Sequence, residues 1–266
     1  MSHSTAPTGR ATAPRTGLRR LAGAPGFAPL VMLVGLVAVW QVCVRVLDVP
    51  FYLLPAPSDI WTAGVDNWGL LWSNALVTLA ETLVGFALSA VVGVLLAVVM
   101  VAWPLAGRAL YPVLVASQVI PKVAIAPLFV VWIGTGVTTS SLIAFVMAFF
   151  PVVVNATQGL NSVSEGSLHL MRSMGASQWQ VFRYLRLPSA LPFIITGLQL
   201  AIAFAIVGAI VGEFVGSDSG LGYLLIVTQG NLMTDTLFAA LVVLTAMGLL
   251  LYYGVELLGR LVIRWK

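Results

Sequence analysis

The chain is 266 residues long, 60% hydrophobic and only 8% charged, with a formal charge of +4 and a mean hydropathy of +1.03. Soluble domains carry about 25% charged residues, so this chain cannot coat a water-facing globule and reads as an integral membrane protein. Its basic residues are scattered between apolar runs, which excludes a nucleic-acid partner, and the single Cys43 excludes an intrachain disulfide or cysteine metal site.

In chain order, residues 1–26 are Ser, Thr, Ala, Pro and Gly with four arginines, and read as a disordered basic cytoplasmic tail. The apolar run after it is too long for a signal peptide and lacks a small-residue cleavage site. That run, 27–47, is the first predicted span, with the ~20 residues a helix needs to cross hydrocarbon. Arg45 near its outer end can snorkel to the interface. Residues 48–70 hold three prolines and two tryptophans and predict an extracytoplasmic loop with a short interfacial helix from Ser58. The second span, 71–101, carries Gly85, Ser89 and Gly93 on one helical face. Such a stripe allows close helix packing and is a candidate dimer contact.

The third predicted span, 109–133, contains Pro112, Pro121, Pro127, Gln118 and Lys122. Each proline removes a backbone donor and clashes one turn back, so the span is expected to be broken. A broken span is tolerated in lipid only where protein or a water-filled cavity satisfies the freed groups. The fourth span is 137–160, with Pro151 and Asn155 inside; the fifth is 190–215; a Gly/Ser/Asp-rich loop covers 216–235; the sixth span is 236–258. Six spans over 27–266 put both termini on one side. Apart from Arg45 and Lys122, every Lys and Arg falls in the tail, the 103–108 turn, the 161–189 stretch or the C-terminus. The positive-inside rule makes that side cytoplasmic.

The only lysines are Lys122 and Lys266, so the chain has no phosphate-cradling P-loop. No Ser–His–Asp set, HExxH motif or paired carboxylate emerges, and the chain reads as not an enzyme. Ionisable groups inside spans cost about 2.5–3.5 kcal/mol each on insertion scales. Of those present, Glu81 and Glu256 read as span-end groups in the interface. Lys122 and Glu213 leave two readings open, solute-pathway groups or a buried pair. With Gln118, Asn155 and Gln199 they form the candidate translocation set.

The one well-populated polar interruption is 161–189. A first short helix, 164–174, has Leu168, Met171, Leu170 and Met174 at helical spacing, and Gly175 ends it. Ser177 with Gln180 three residues on is a capping-box pattern for a second helix. Trp179, Phe182 and Leu185 form its expected apolar face, and Pro188 is expected to stop it. The product is a helix–Gly–helix elbow across the cytoplasmic mouth. An amphipathic element resting on lipid explains the arginines and aromatics. It does not explain the small Gly175-Ala176-Ser177 joint, which suits close approach by a partner. The elbow therefore reads as a docking element, with Glu165, His169, Arg172, Gly175, Ala176, Ser177, Trp179 and Phe182 as candidates.

These residues resemble a known family. Permease subunits of bacterial ABC importers carry a cytoplasmic loop with E-A-A, three residues, G, nine residues, then I-x-L-P. Gly175 takes the glycine place and Leu185-Arg186-Leu187-Pro188 the I-x-L-P place. Over about 50–264 the chain is similar to the nitrate/sulfonate/taurine type. The similarity is carried by Phe51 through Ser58, Thr78-Leu79, Gly85-Phe86, Ile120-Pro121, Ala126-Pro127-Leu128, Trp132-Ile133-Gly134, Phe150-Pro151, Met174 through Ser177, Leu191-Pro192, Thr196-Gly197, Glu213 and Ser219 through Tyr223. The resemblance implies an all-α, type I importer permease fold with a coupling-helix elbow. It implies a homodimer in the inner membrane, two cytoplasmic ATPase subunits holding ATP and Mg, and an extracytoplasmic binding protein. No cofactor is implied on this chain.

The chain departs from the pattern at the E-A-A triplet, which is His169-Leu170-Met171, with Glu165 one turn back. Family arginines are replaced by Glu81 and Gln199, and Lys122 stands where a proline or neutral residue is frequent. Two solute classes therefore stand: sulfonate, nitrate or taurine, and a pyrimidine-like vitamin precursor. The competing functions are an ion-coupled secondary carrier, which would show internal repeats and midplane carboxylates, and a scaffold that moves nothing.

Overall fold

The computed structural model describes residues 27–263, and every regular element among them is a helix. The expected tail 1–26, Arg264 and Lys266 lie outside the described residues. Three helices make the frame: α3 (Trp68–Ala102), α6 (Val137–Asn161) and α9 (Leu187–Gly216). α1 (Phe27–Val46) and α2 (Pro57–Asp66) precede them, α4 (Pro104–Ser117) and α5 (Lys122–Ile133) lie between α3 and α6, and α7 (Glu165–Ser173) and α8 (Gln178–Val181) between α6 and α9. α10 (Leu221–Gly230) and α11 (Thr234–Val262) close the chain. Among the described residues four helices are long and apolar enough to cross a membrane: α3, α6, α11 and the continuous run from Gln178 to Gly216. The α4–α5 pair makes a fifth if it counts as one bent span.

The frame is built on small residues. A Cβ on Gly208 would come within 2.6 Å of the Ala144 Cα, and one on Gly212 within 2.5 Å of the Ser140 Cα. α6 and α9 therefore touch backbone to backbone, which lets dispersion and close packing hold them in lipid. Ala144, Ala148, Ala201, Ala205 and Ala209 fill the seam. On α3, Gly85 meets Ala144 and Gly93 meets Val152 of the same chain. The predicted small-residue stripe thus packs inside the subunit. It is not a dimer contact face, because α6 already covers it.

Other expectations are corrected. Only Pro121 breaks the third span: α4 and α5 meet at 97° around it, while Pro112 and Pro127 stay inside their helices. The 216–235 segment is not all loop, since Leu221–Gly230 is a buried-sided helix. Leu221, Leu224 and Leu225 pack there on Ile60, Leu71, Ala239 and Ala240. Pro188 does not stop the second elbow helix. A π-helical turn, Phe182–Arg186, carries α8 straight into α9. A proline ring collides with the carbonyl one turn back, and the wider turn displaces that carbonyl. Leu187 accordingly donates to the Phe182 carbonyl, five residues back.

The bundle has two ends. α6 ends, α9 begins and α3 ends at the elbow; α9 ends, α3 begins and α10 lies at the opposite, loop end. At the loop end α1 is tied to α2 by Gln41–Ser58 hydrogen bonds and by a 2.7 Å ion pair between Arg45 and Asp59. Gly136 N–H donates to the Gly216 carbonyl at 2.9 Å, joining the start of α6 to the end of α9.

Candidate functional site

At the elbow, Ser164 caps α7 by accepting from the Ser167 N–H. The helix ends in two bonds: Gly175 N–H donates to the Arg172 carbonyl and Ala176 N–H to the Met171 carbonyl, both at 3.0 Å. This is the Schellman arrangement, and it needs a left-handed residue, here Gly175 at φ +77°. Ser177 and Gln180 form the expected capping box, with Ser177 N–H donating to Gln180 Oε1 at 2.7 Å. Each half of the elbow is therefore pre-set by local chemistry.

Which faces turn inward differs from the sequence pattern. Val181 is the buried anchor of α8, and Phe182 packs against the cluster of Ala97, Ala156, Leu160, Ala190 and Ile194. Trp179 stacks on Phe182 at 5.7 Å but is 65% exposed, so it is not part of the inner face. On α7 and its C-cap, Leu170 and Met174 are exposed while Leu168 and Met171 are half-buried. Glu165, His169 and Arg172, at i, i+4 and i+7, share one exposed face. A groove of about 340 Å³ runs between Val98, Val101 and Ala102 of α3 and Gln178, Trp179, Phe182 and Arg186. The elbow thus presents apolar side chains beside charged ones and is anchored on the ends of α3, α6 and α9.

The five candidate pathway residues do not converge. Gln118 and Lys122 flank the α4–α5 break, and the Lys122 Nζ lies 4.6 Å from the centroid of the Phe150 ring on α6. Asn155 donates to the Pro151 carbonyl at 2.8 Å and touches Gly197, so it serves the α6–α9 seam. Gln199 lines a separate cleft of about 350 Å³ with Thr196, Glu256 and Arg260. Glu213 turns into the subunit.

Glu213 belongs to a buried polar clamp at the loop end. Thr78 Oγ1 donates to Glu213 Oε1 at 2.6 Å, and the Gly222 N–H donates to Glu213 Oε2. Leu221 N–H donates to Thr78 Oγ1 and Gly220 N–H to Asn74 Oδ1, each at 2.8 Å. The first N–H groups of α10, which no residue of α10 can satisfy, are thus capped by α3 and α9. The Glu213 carboxyl group thus lies at the N-terminal end of that helix. Gly220 and Gly222 leave no room for a Cβ against the Glu213 side chain. Glu81 joins this cluster beside Glu213 and Ser140. It is 0% exposed, so it is not a span-end group in the interface. The sequence held a signal for it: Asn74, Thr78, Glu81, Gly85, Ser89 and Gly93 recur every three or four residues in an otherwise apolar helix. Glu256 lies in the last two turns of α11, bonded to Arg260 at 2.6 Å.

Among the described residues no cluster of His, Cys, Asp and Glu is set to hold a metal ion.

Comparison with known proteins agrees with this architecture. Residues 89–265 match the family of the binding-protein-dependent transport system inner membrane component. The formylaminopyrimidine transport permease protein ThiX of Halalkalibacterium halodurans is 35% identical over 239 residues, 90% of this chain and 95% of its own. The riboflavin transport system permease protein RibX of Chloroflexus aurantiacus is 35% identical over 246 residues, 91% of each chain. The putative aliphatic sulfonates transport permease protein SsuC of Escherichia coli is 28% identical over 245 residues, 91% of this chain and 92% of its own. Among solved structures, an inward-facing methionine ABC transporter, MetNI, superposes with a TM-score of 0.61 at 23% identity, over 75% of this chain and 97% of the other. That likeness establishes a type I importer-like fold. Nothing in these likenesses favours an ion-coupled carrier, and permeases of this family are transport proteins without catalysis of their own. With the family matched over most of the chain and its relatives over nearly all of it, this chain belongs to the binding-protein-dependent inner-membrane permeases, the subunits that form the translocation pathway of ABC importers.

Proposed function

We propose that the chain is one half of a six-span-per-subunit permease dimer whose elbow receives a cytoplasmic ATPase. α1 supplies the sixth span, and residues 1–26 form a cytoplasmic tail ahead of the permease domain at 27–266. Two ATPase subunits hold the ATP and Mg, and an extracytoplasmic binding protein delivers the solute to the loop end. The observation that carries this reading is the elbow itself. Leu170, Met174 and Trp179 are exposed beside Glu165, His169 and Arg172, on a segment whose other side is packed on the frame. Exposed apolar groups rimmed by charge mark a protein-binding surface. Charge supports the sidedness. Arg108, Arg172, Arg183, Arg186 and Arg260 are at the elbow end, whereas the aspartates are at the loop end, where Arg45 is paired with Asp59. That distribution fits a cytoplasmic elbow and cytoplasmic termini.

For the path, Gln118 and Lys122 at the α4–α5 break are the pathway-lining pair, while Asn155 and Glu213 hold the frame. The solute is small and polar. Both solute classes expected from the sequence have counterparts among the relatives: pyrimidine and flavin transport at 35% identity, sulfonate transport at 28%. Mild-detergent purification of the tagged chain from its native membrane tests the assembly. A stoichiometric soluble ATPase in mass spectra is the expected result, and recovery of this chain alone across several detergents overturns it.

A further inference from the structure

The geometry points to Lys122 as the charge-selecting residue of the path, which passes the solute as an anion or through an anionic group. This rests on the reading of the α4–α5 break as pathway-lining. Phe150 sits near the middle of the 25-residue helix α6, so the ammonium group over its ring lies near the bilayer midplane. Lys122 is partly exposed and forms no ion pair among the described residues. An unpaired cation at that depth is stable only where it faces water or a counter-charge.

The protein has no counter-charge to offer. Of its nine Asp and Glu, all five aspartates lie at the loop end. Glu165 is in the elbow and Glu256 is held by Arg260. Glu81 and Glu213, the two on the frame helices α3 and α9, are 0% and 1% exposed and face each other inside the subunit toward the loop end. A second copy related by an axis along the membrane normal would bring the same nine groups at the same depths, so it would add no exposed carboxylate at the level of Lys122. Lys122 therefore faces water, and an anion that pairs with it is one that arrives and leaves. Between arrivals the Phe150 ring, packed edge-on against Phe149 at 5.3 Å, offers the ammonium a cation–π surface. A sulfonate, a carboxylate, or a heterocycle bearing either group fits this site; a neutral pyrimidine does not.

The test measures local potential without needing the solute. Val119, 85% exposed in the break, becomes the reporter as Val119→Cys, with the exposed native Cys43 replaced as Cys43→Ser. In the full chain in proteoliposomes, its modification rates by an anionic (sulfonatoethyl) and a cationic (trimethylammonioethyl) methanethiosulfonate are compared. The anionic-to-cationic ratio is expected to fall roughly tenfold on Lys122→Met or Lys122→Gln and to hold within about twofold on Lys122→Arg. Reaction with both reagents at a ratio indifferent to Lys122→Met and Lys122→Gln overturns charge selection and leaves the path in place. No reaction with either reagent shows a dry break and overturns the path assignment along with this inference.

Discussion

At the loop end, Glu213, Thr78 and Asn74 turn inward and satisfy the first N–H groups of α10, while Glu81 and Ser140 are buried beside them without a hydrogen-bond partner of their own. At the elbow end, Trp179, Leu170 and Met174 turn outward, and the buried contacts belong to Val181 and Phe182 beneath them. The two ends invert the usual pattern, with polar groups inside at one and apolar groups outside at the other. Burying a polar group is tolerable when every donor finds an acceptor. Exposing an apolar group is tolerable when another chain covers it. The loop end is therefore built to stay as one piece, and the elbow end, on the function proposed above, is where an ATPase would grip.

The strongest way to break this contrast is Glu213→Ala. It strips the acceptor from the Thr78 hydroxyl and the Gly222 N–H, both buried, at a cost of about 3–5 kcal/mol. A lowered thermal midpoint of the purified chain in detergent is the expected readout, and an unchanged midpoint would mean the clamp is not structural. Gly212→Leu tests the frame that joins the two ends. Its Cβ alone would stand 2.5 Å from the Ser140 Cα, so α6 and α9 must part, costing about 3 kcal/mol by the same measurement.

Two elbow substitutions sharpen the other side of the comparison. Trp179→Ala removes an exposed ring. It should leave the thermal midpoint nearly unchanged while weakening capture of the ATPase by about 2 kcal/mol in a pull-down titration. A drop in midpoint with intact capture would reverse the assignment of this end. Gly175→Ala is the smallest change. Nothing crowds the new methyl group, but φ +77° is a left-handed conformation, so the joint strains by about 1–2 kcal/mol. ATP-driven uptake should fall with membrane insertion intact, and unchanged uptake would argue against force passing through the elbow.

The sequence by itself determined the membrane class and the helical content, because so few charged residues over such apolar runs leave no other way to satisfy the backbone in lipid. It also determined the elbow's two caps, since Gly175 and the Ser177–Gln180 box act through bonds between near neighbours in the chain. The break at Pro121 was legible for the same local reason. Only tertiary structure decided the rest. Whether the Gly85–Gly93 stripe faces α6 or a second copy depends on which helix lies against it, and both faces read alike in one dimension. Nor could helical period separate Trp179, which lies outside, from Val181, which lies inside, on a helix of four residues. Glu81 and Glu213 are 132 positions apart, and their meeting with Gly222 is set by the crossing of α3 and α9. The caps of α10 come from 143 and 146 residues away, so a segment that reads as a Gly- and Ser-rich loop becomes a helix only once α3 and α9 stand beside it.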